Sequence, residues 1–272
     1  MDVTTTQVAR GLHFVYTTLA NWVVLTDGDE VALIDCGYPK HLPQIRASVR
    51  AAVGHDAPVR TVLVTHAHAD HIGTAARLVA EDGTVVRCSP AEVAGVRREE
   101  KYQVSIGEIV RHPRPAVLRW AARAVRAGGL RDVAVTAVTA LDGPLVVAGH
   151  RVEPLDLPGH TPGHLAYWLP DARVLVSGDA LVTGHPLTGV RGPQLLHPMF
   201  HQDCDRAVES LDRLTDLDPR WVLPGHGRML VVGGAYDGEP GWRLPSGEPV
   251  EHCGGHVAAD LAAAVHQARG RF

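Results

Sequence analysis

Seven side chains of the kinds that hold metal ions stand at the ends of apolar runs in this chain. Residues 65–73 read THAHADHIG and carry His66, His68, Asp70 and His71; further on, PGHTPGH brings His160, SGDA brings Asp179 and PGHG brings His226. Histidine is abundant, 17 residues against five tyrosines and three phenylalanines, which favours metal binding without locating it. A strand alternates its side chains between faces, so His66 and His68, two apart, can point the same way and share one ion. Asp70 and His71, one turn onward, then face a second ion. Imidazole nitrogen suits zinc, and a carboxylate can place one oxygen on each of two metals, the role read for Asp179. Two cations a few Å apart would lower the pKa of a bridging water toward neutrality and supply hydroxide at neutral pH.

The surrounding pattern has to bring these loops together. NWVVLTDGDEVALIDCG reads as two strands joined at Asp27-Gly28, the second ending at Asp35. Pro43 opens a helix with Ile45, Val49 and Val53 on one face and Gly54 as its stop. VRTVLVTH is a short β-branched strand that delivers the His66 loop; IGTAARLVAEDG reads as helix and TVVRCS as strand. The second half runs the same way, with strands in VEPLDLPGHTPGH, AYWLPDARVLVSGDA and PRWVLPGHG, each ending on His or Asp. In DCDRAVESLDRL, Cys204, Ala207, Val208, Leu211 and Leu214 share a helical face. Strands alternating with helices imply an α/β chain.

THAHADH, PGHTPGH, SGDA and PGHG in this succession, with the strand ending in Asp35, resemble the metallo-β-lactamase fold superfamily and its glyoxalase II-like hydrolases, over roughly residues 10 to 228. The resemblance implies a four-layer αββα sandwich, an α/β (α+β) fold. Residues 1–272 would form one domain, two αβ halves at about 1–90 and 132–272 with a helical lid inserted at about 91–131. It also implies His66, His68 and His160 around a first metal and Asp70, His71 and His226 around a second. Asp179 would bridge them, with Asp35 and His164 orienting the ligands and Asp70 helping to orient the nucleophile. Zinc β-lactamases generally lack the bridging aspartate, flavodiiron relatives place Glu at the position of His68, and quorum-signal lactonases carry a Tyr shortly after the bridging Asp, absent here. Sulfur dioxygenases share most of the motif but use one iron.

The implied activity is hydrolysis of a thioester or other ester-type bond by a metal-bridging hydroxide, with two divalent metals, zinc first and iron or manganese as alternatives. Lactone hydrolysis, persulfide oxidation on one iron and a catalytically vestigial metal-binding regulator stay open beside it. Cys36, next to Asp35, reads as a buried structural thiol rather than a nucleophile.

Bulk properties set the remaining expectations. At 272 residues and 45% hydrophobic the chain can bury a full core, and a net charge of −4 argues against nucleic acid as a partner. There is no membrane-length apolar run and the start lacks a basic-then-apolar leader, so a cytoplasmic chain is expected. Its four scattered cysteines make no disulfide framework. Oligomeric state is not written in the sequence. Residues 97–131 reverse the overall charge, with nine basic side chains against three acidic. There PRPAVLRWAARAVRAGG reads as a helix with Leu118, Ala121 and Val125 on one face and Arg119, Arg123 and Arg126 on another. The charge suits an anionic or carrier-bound substrate, such as a coenzyme A or acyl-carrier-protein thioester, and equally a solvated helix face. Arg119, Arg123, His185 and His197 are the candidate substrate contacts, with His201 in the same loop; an ordinary polar loop is the competing reading. HCGGH at 252–256 has too few donors for a second metal site, and VAADLAAAVHQARG reads as a closing helix.

Overall fold

Two seven-stranded sheets account for most of the chain in a computed structural model that describes residues 3–111, 113–131, 133–232, 256–258 and 261–270. The first sheet runs in chain order: β1 (Thr4–Ala9), β2 (Leu12–Tyr16), β3 (Trp22–Asp27), β4 (Glu30–Ile34), β5 (Val59–Leu63), β6 (Val85–Cys88) and β7 (Val138–Ala140). Its first four strands are antiparallel and its last four parallel. The second sheet contains β8 (Leu145–Val147), β9 (His150–Asp156), β10 (Leu165–Leu169), β11 (Val174–Gly178), β14 (Trp221–Pro224), β15 (Leu230–Val232) and β16 (His256–Ala258), ordered β16-β15-β14-β11-β10-β9-β8. A separate ribbon pairs β12 (Val182–Gly184) with β13 (Arg191–Gln194).

Apolar side chains on alternate positions build the layers. Leu12, Phe14, Leu25, Ile34 and Leu63 meet Val152, Tyr167, Val176 and Leu223 between the sheets. Helices α1 (Leu42–Val53) and α2 (Ala75–Asp82) cover the outer face of the first sheet through Ile45, Val49 and Leu78. Between β6 and β7 lie α3 (Val93–Val96), α4 (Ile106–Arg111) and α5 (Pro115–Ala127). Outside the second sheet pack α6 (Cys204–Ser210), the 3-10 turn Leu211–Leu214 and α7 (Leu261–Arg269). The result is the expected αββα sandwich.

Several local expectations shift. In the β3–β4 hairpin Asp27 pairs with Glu30, so the two turn residues are Gly28 and Asp29 rather than Asp27 and Gly28. Gly28, at φ 57°, takes the left-handed position that glycine occupies without strain. Strand β7 belongs to the first sheet, so the 91–131 segment lies within the first half; parallel β6 and β7 need such a crossover. The α5 face packed against the protein is Val117, Trp120, Ala124 and Ala127; of the expected stripe, Leu118 and Val125 are about half exposed, while Ala121 and Val125 line the cavity above the donor cluster. Trp120 packs edge-on against Phe200, and its bulk decides which stripe faces inward. The Cys204 helix tightens to 3-10 after Ser210. His252, Cys253, Gly254 and Gly255 lie outside the described residues. Among the described residues no helix is long and apolar enough to cross a membrane.

One buried phenol ties the sheets together beside the His66 loop. Tyr167 on β10 is fully buried and donates to the Val64 carbonyl at 2.8 Å, while the Leu165 amide donates to Thr65 O at 2.8 Å. Tyr167→Phe strands that carbonyl, so denaturant unfolding should show a loss of about 1–3 kcal/mol at unchanged m value. A loss below roughly 0.5 kcal/mol would show that the bond contributes little.

Candidate metal centre

Loops leaving β5, β9, β11 and β14 converge at one edge of the sandwich. β5 ends at Leu63, so His66 and His68 lie in a loop rather than on a strand, and strand alternation is not what aligns them. The loop does bring their rings together, with centroids 4.5 Å apart.

The seven expected residues gather into two groups. His66, His68, His160 and Asp179 present donor atoms within 4.8 Å of one another, and so do Asp70, His71 and His226. Asp179 lies between the groups. Its Oδ2 is 3.5 Å from His160 Nε2 and 3.1 Å from His226 Nε2, and its Oδ1 is 3.5 Å from His71 Nε2. All are buried except Asp70, which reaches the cavity wall half-buried.

Hydrogen bonds set which ring nitrogen faces the centre. Asp35, at φ 61°, accepts from the Thr65 amide at 2.8 Å, from Thr65 Oγ1 at 2.7 Å and from His71 Nδ1 at 2.7 Å. Because Thr65 Oγ1 gives its proton to Asp35, it receives one from His66 Nδ1 at 3.0 Å. His226 Nδ1 donates to Leu19 O at 2.6 Å. Each of these histidines thus turns Nε2 inward, and the Nε2 atoms of His66 and His71 are buried with no hydrogen-bond partner among the described residues. His164 Nε2 accepts from the Asp179 amide at 3.0 Å, which holds the proposed bridging carboxylate in place. Asp35 and His164 therefore sit where residues that orient ligands belong.

Electrostatics point to positive charge in the same spot. Burial works against protonation of His71, yet Asp179, Asp35 and Asp70 outweigh it and hold its pKa well above the ordinary value. Burial likewise opposes the shift at His226, which Asp179 and Asp70 raise. A pocket that draws protons onto imidazoles despite burial draws cations for the same reason. His66 and His160 go the other way, well below the usual range, through burial and then through their histidine neighbours, so both are neutral donors. There is also no room to spare. A Cβ on Gly225 would run into Asp179 Oδ1 and come within 2.8 Å of His71 Cε1, so only glycine admits the β14 loop here.

Two functional positions carry no spacing signal. Glu92 is fully buried, and its Oε2 accepts from the Ala67 amide at 2.7 Å while Oε1 accepts from the Gly163 amide at 2.9 Å. One carboxylate thus clamps the loop of His66 and His68 to the loop of His160. Tyr38 follows the Asp35 strand end by three residues and lines the same cavity as Asp70; its phenol is pushed well above its ordinary value by burial, then by Asp70 and Asp179. A tyrosine therefore reaches the site from β4 rather than from the segment after Asp179.

The weaker expectations divide. Arg119, Arg123 and His185 line a cavity beside the centre, whereas His197 lines neither cavity there and its Nδ1 accepts from the Met199 amide, capping a 3-10 turn. His185 is brought down to about 4 by burial and then by His197, and its Nε2 accepts from the His197 amide at 2.8 Å. His201 packs its ring 5.2 Å from that of His160 and bonds Leu196 O. Cys36 is buried, its thiol pushed up to about 12 by burial, and Sγ donates to His71 O, so its part is structural.

Glu92→Gln replaces one acceptor by an amide that faces a backbone N–H. Chelator competition should show metal held about 10–100-fold more weakly; equal retention would remove Glu92 from the support of the centre. Acid should compete as well. His71 and His226, raised above the ordinary histidine value, must lose their protons to bind metal, so affinity should fall as pH drops from about 8 to about 6, and pH-independent affinity would contradict their role as ligands.

Comparison with known proteins agrees with this geometry. The model of the metallo-beta-lactamase superfamily matches residues 15–226. The probable metallo-hydrolase YflN of Bacillus subtilis (strain 168) is 28% identical over 236 residues, 81% of this chain and 85% of that protein. An acyl-coenzyme A thioesterase of Bos taurus is 28% identical over 218 residues, 76% of this chain and 72% of that one. The crystal structure of a metallo-beta-lactamase family protein from Thermus thermophilus superposes with a TM-score of 0.55 at 26% identity, covering 82% of this chain and 75% of that one. With a buried His/Asp cluster at the edge of an αββα sandwich and the superfamily model spanning most of its length, this chain belongs to the metallo-beta-lactamase superfamily.

Proposed function

We propose that this metallo-hydrolase family member cleaves thioesters, splitting an apolar acyl group from a thiol. The observation that carries the reading is the cavity above the donor cluster. It has a volume of about 100 Å³; Asp70, Asp179, His68, His160 and His226 form its floor, and Val104, Ile109, Trp120, Val125, Leu130 and Phe200 form apolar walls. An acyl chain fits those walls, with its carbonyl end over the polar floor. The similarity to an acyl-coenzyme A thioesterase supports the same class.

The donor set fits two cations: His66, His68 and His160 for the first, Asp70, His71 and His226 for the second, with Asp179 shared. Divalent metals there, zinc by donor chemistry with iron or manganese as alternatives, would supply Lewis acidity and lower the pKa of a water held between them. Asp70 is placed to accept a hydrogen bond from the attacking water, and the Tyr38 phenol lines the same cavity beside it. The α5 wall, anchored by Trp120 on Phe200, excludes bulk water from the acyl group. Water adds at the acyl carbon, the carbon–sulfur bond breaks, and a carboxylic acid and a thiol leave. Completeness of both donor groups favours an enzyme over a vestigial binder, and two groups rather than one favour hydrolysis over oxidation on a single iron.

Asp179→Ala should lower turnover by on the order of 10²–10³ and bind at least one metal fewer; unchanged turnover and metal content would refute the shared role. Across a panel of acyl thioesters, lactones and simple esters, kcat/KM should be at least about tenfold higher for the thioester with an apolar acyl group. A lactone preferred over every thioester would overturn the proposal.

A further inference from the structure

The α5 helix separates two spaces. Its Trp120, Ala121, Ala124 and Val125 line the apolar cavity above the donor cluster. One helical step round, Arg119 and Arg123, four residues apart and both exposed, line a second cavity of about 490 Å³. The opposite walls are Thr17 and Thr18, between β2 and β3, Thr188 in the loop before β13, and Arg191 at the start of β13. No Asp or Glu is among the described residues lining this space, although the chain as a whole is acidic. Neither Arg119 nor Arg123 forms an ion pair with another described residue. Trp120, Pro186 and His226 line both cavities, so the two adjoin at the edge of the donor cluster.

Two arginines without a carboxylate among the described residues to neutralise them, facing a roomy polar cavity, make an anion-binding surface. We propose that this groove binds the phosphate-bearing part of the thiol leaving group, while the acyl part occupies the apolar cavity and the bond to be cut lies between them near His226. The proposal rests on the thioesterase reading and narrows it to thioesters of phosphate-bearing thiols. That chemistry comes from two sources, a nucleotide-linked thiol such as coenzyme A and the phosphate-linked thiol arm of an acyl carrier protein. Guanidinium groups suit either, since they grip phosphate through paired N–H donors. The substrate would straddle α5 at Trp120, so the same helix that shields the acyl group sorts substrates by charge.

The test compares wild type with Arg119→Ala/Arg123→Ala on three thioesters of one acyl group: acyl-coenzyme A, acyl-pantetheine, which has no phosphate, and the acyl carrier protein. The ratio of kcat/KM for acyl-coenzyme A over acyl-pantetheine should fall about 10–100-fold in the variant, chiefly through KM, and added salt should lower the wild-type ratio more than the variant's. If instead the carrier-protein thioester loses its advantage over acyl-pantetheine and acyl-coenzyme A does not, the phosphate is protein-linked and the groove stands. A ratio unchanged by the double substitution for both carriers would overturn the proposal.

Direct binding separates this proposal from the hydrolase reading. Titration calorimetry with desulfo-coenzyme A, which has no sulfur to reach a metal, should give binding to the wild type that weakens by a comparable factor in the variant. The same titration with the holo carrier protein, its phosphopantetheine arm in place, and with the apo protein, which lacks the arm, as control serves the second source. Arginine-dependent binding without hydrolysis of any thioester would sink the thioesterase reading and leave the groove intact. Thioester hydrolysis with no arginine-dependent binding of either phosphate carrier would do the reverse.

Discussion

The Asp35 carboxylate is the contact on which the rest of the centre depends. A carboxylate this deep is costly unless its lone pairs are filled, and here the Thr65 amide, the Thr65 hydroxyl and His71 Nδ1 fill them. Those bonds join the end of β4 to the end of β5 and reach both donor groups, His71 directly and His66 through Thr65. The strained backbone at Asp35, φ 61° in a non-glycine residue, is sustained by this bonding. Glu92 then does across the loops what Asp35 does along the sheet edge, accepting an amide from each of the two loops that carry His66, His68 and His160. Two buried carboxylates that bind no metal themselves thus position four of the five inward-facing imidazoles.

That division of labour leaves the donor atoms free. Nδ1 protons on His66, His71 and His226 go to oxygen acceptors behind them, so the Nε2 atoms face inward around Asp179. Negative charge from Asp35, Asp70 and Asp179 is concentrated where water is scarce, which makes the cluster a place for cations. The sheets supply rigidity, while α5, held by Trp120 on Phe200 and by Ala127 against Tyr38 and Ala20, roofs the site from a crossover connection. Such crossovers vary without disturbing the sandwich, which leaves the proposed choice of substrate to the crossover and the donor set to the scaffold.

Much of this was legible in the sequence because metal chemistry restricts residue types. His66, His68, Asp70, His71, His160, Asp179 and His226 stand out at strand ends, and all seven converge. Strands with one buried face and the helix closed by Gly54 were equally readable. The α5 stripe was not: an alanine-rich helix with Val117, Leu118, Trp120 and Val125 offers two apolar faces, and tertiary contact with Phe200 selects one. β7 is three residues long, below what a pattern can reveal. Glu92 and Tyr38 act alone, Glu92 through two hydrogen bonds across long sequence separations and Tyr38 by lining the cavity beside Asp70, so no local spacing betrays them. His197 looked like a substrate contact because histidine was common in its loop, yet its ring is spent on a turn.

The central claim is that the two donor groups form one dinuclear hydrolytic centre. Elemental analysis of protein purified without added metal tests it most directly. The account predicts close to two divalent ions per chain, zinc foremost, with thioester hydrolysis and no oxygen consumption. One iron per chain, with oxygen consumed in turnover of a persulfide, would contradict it.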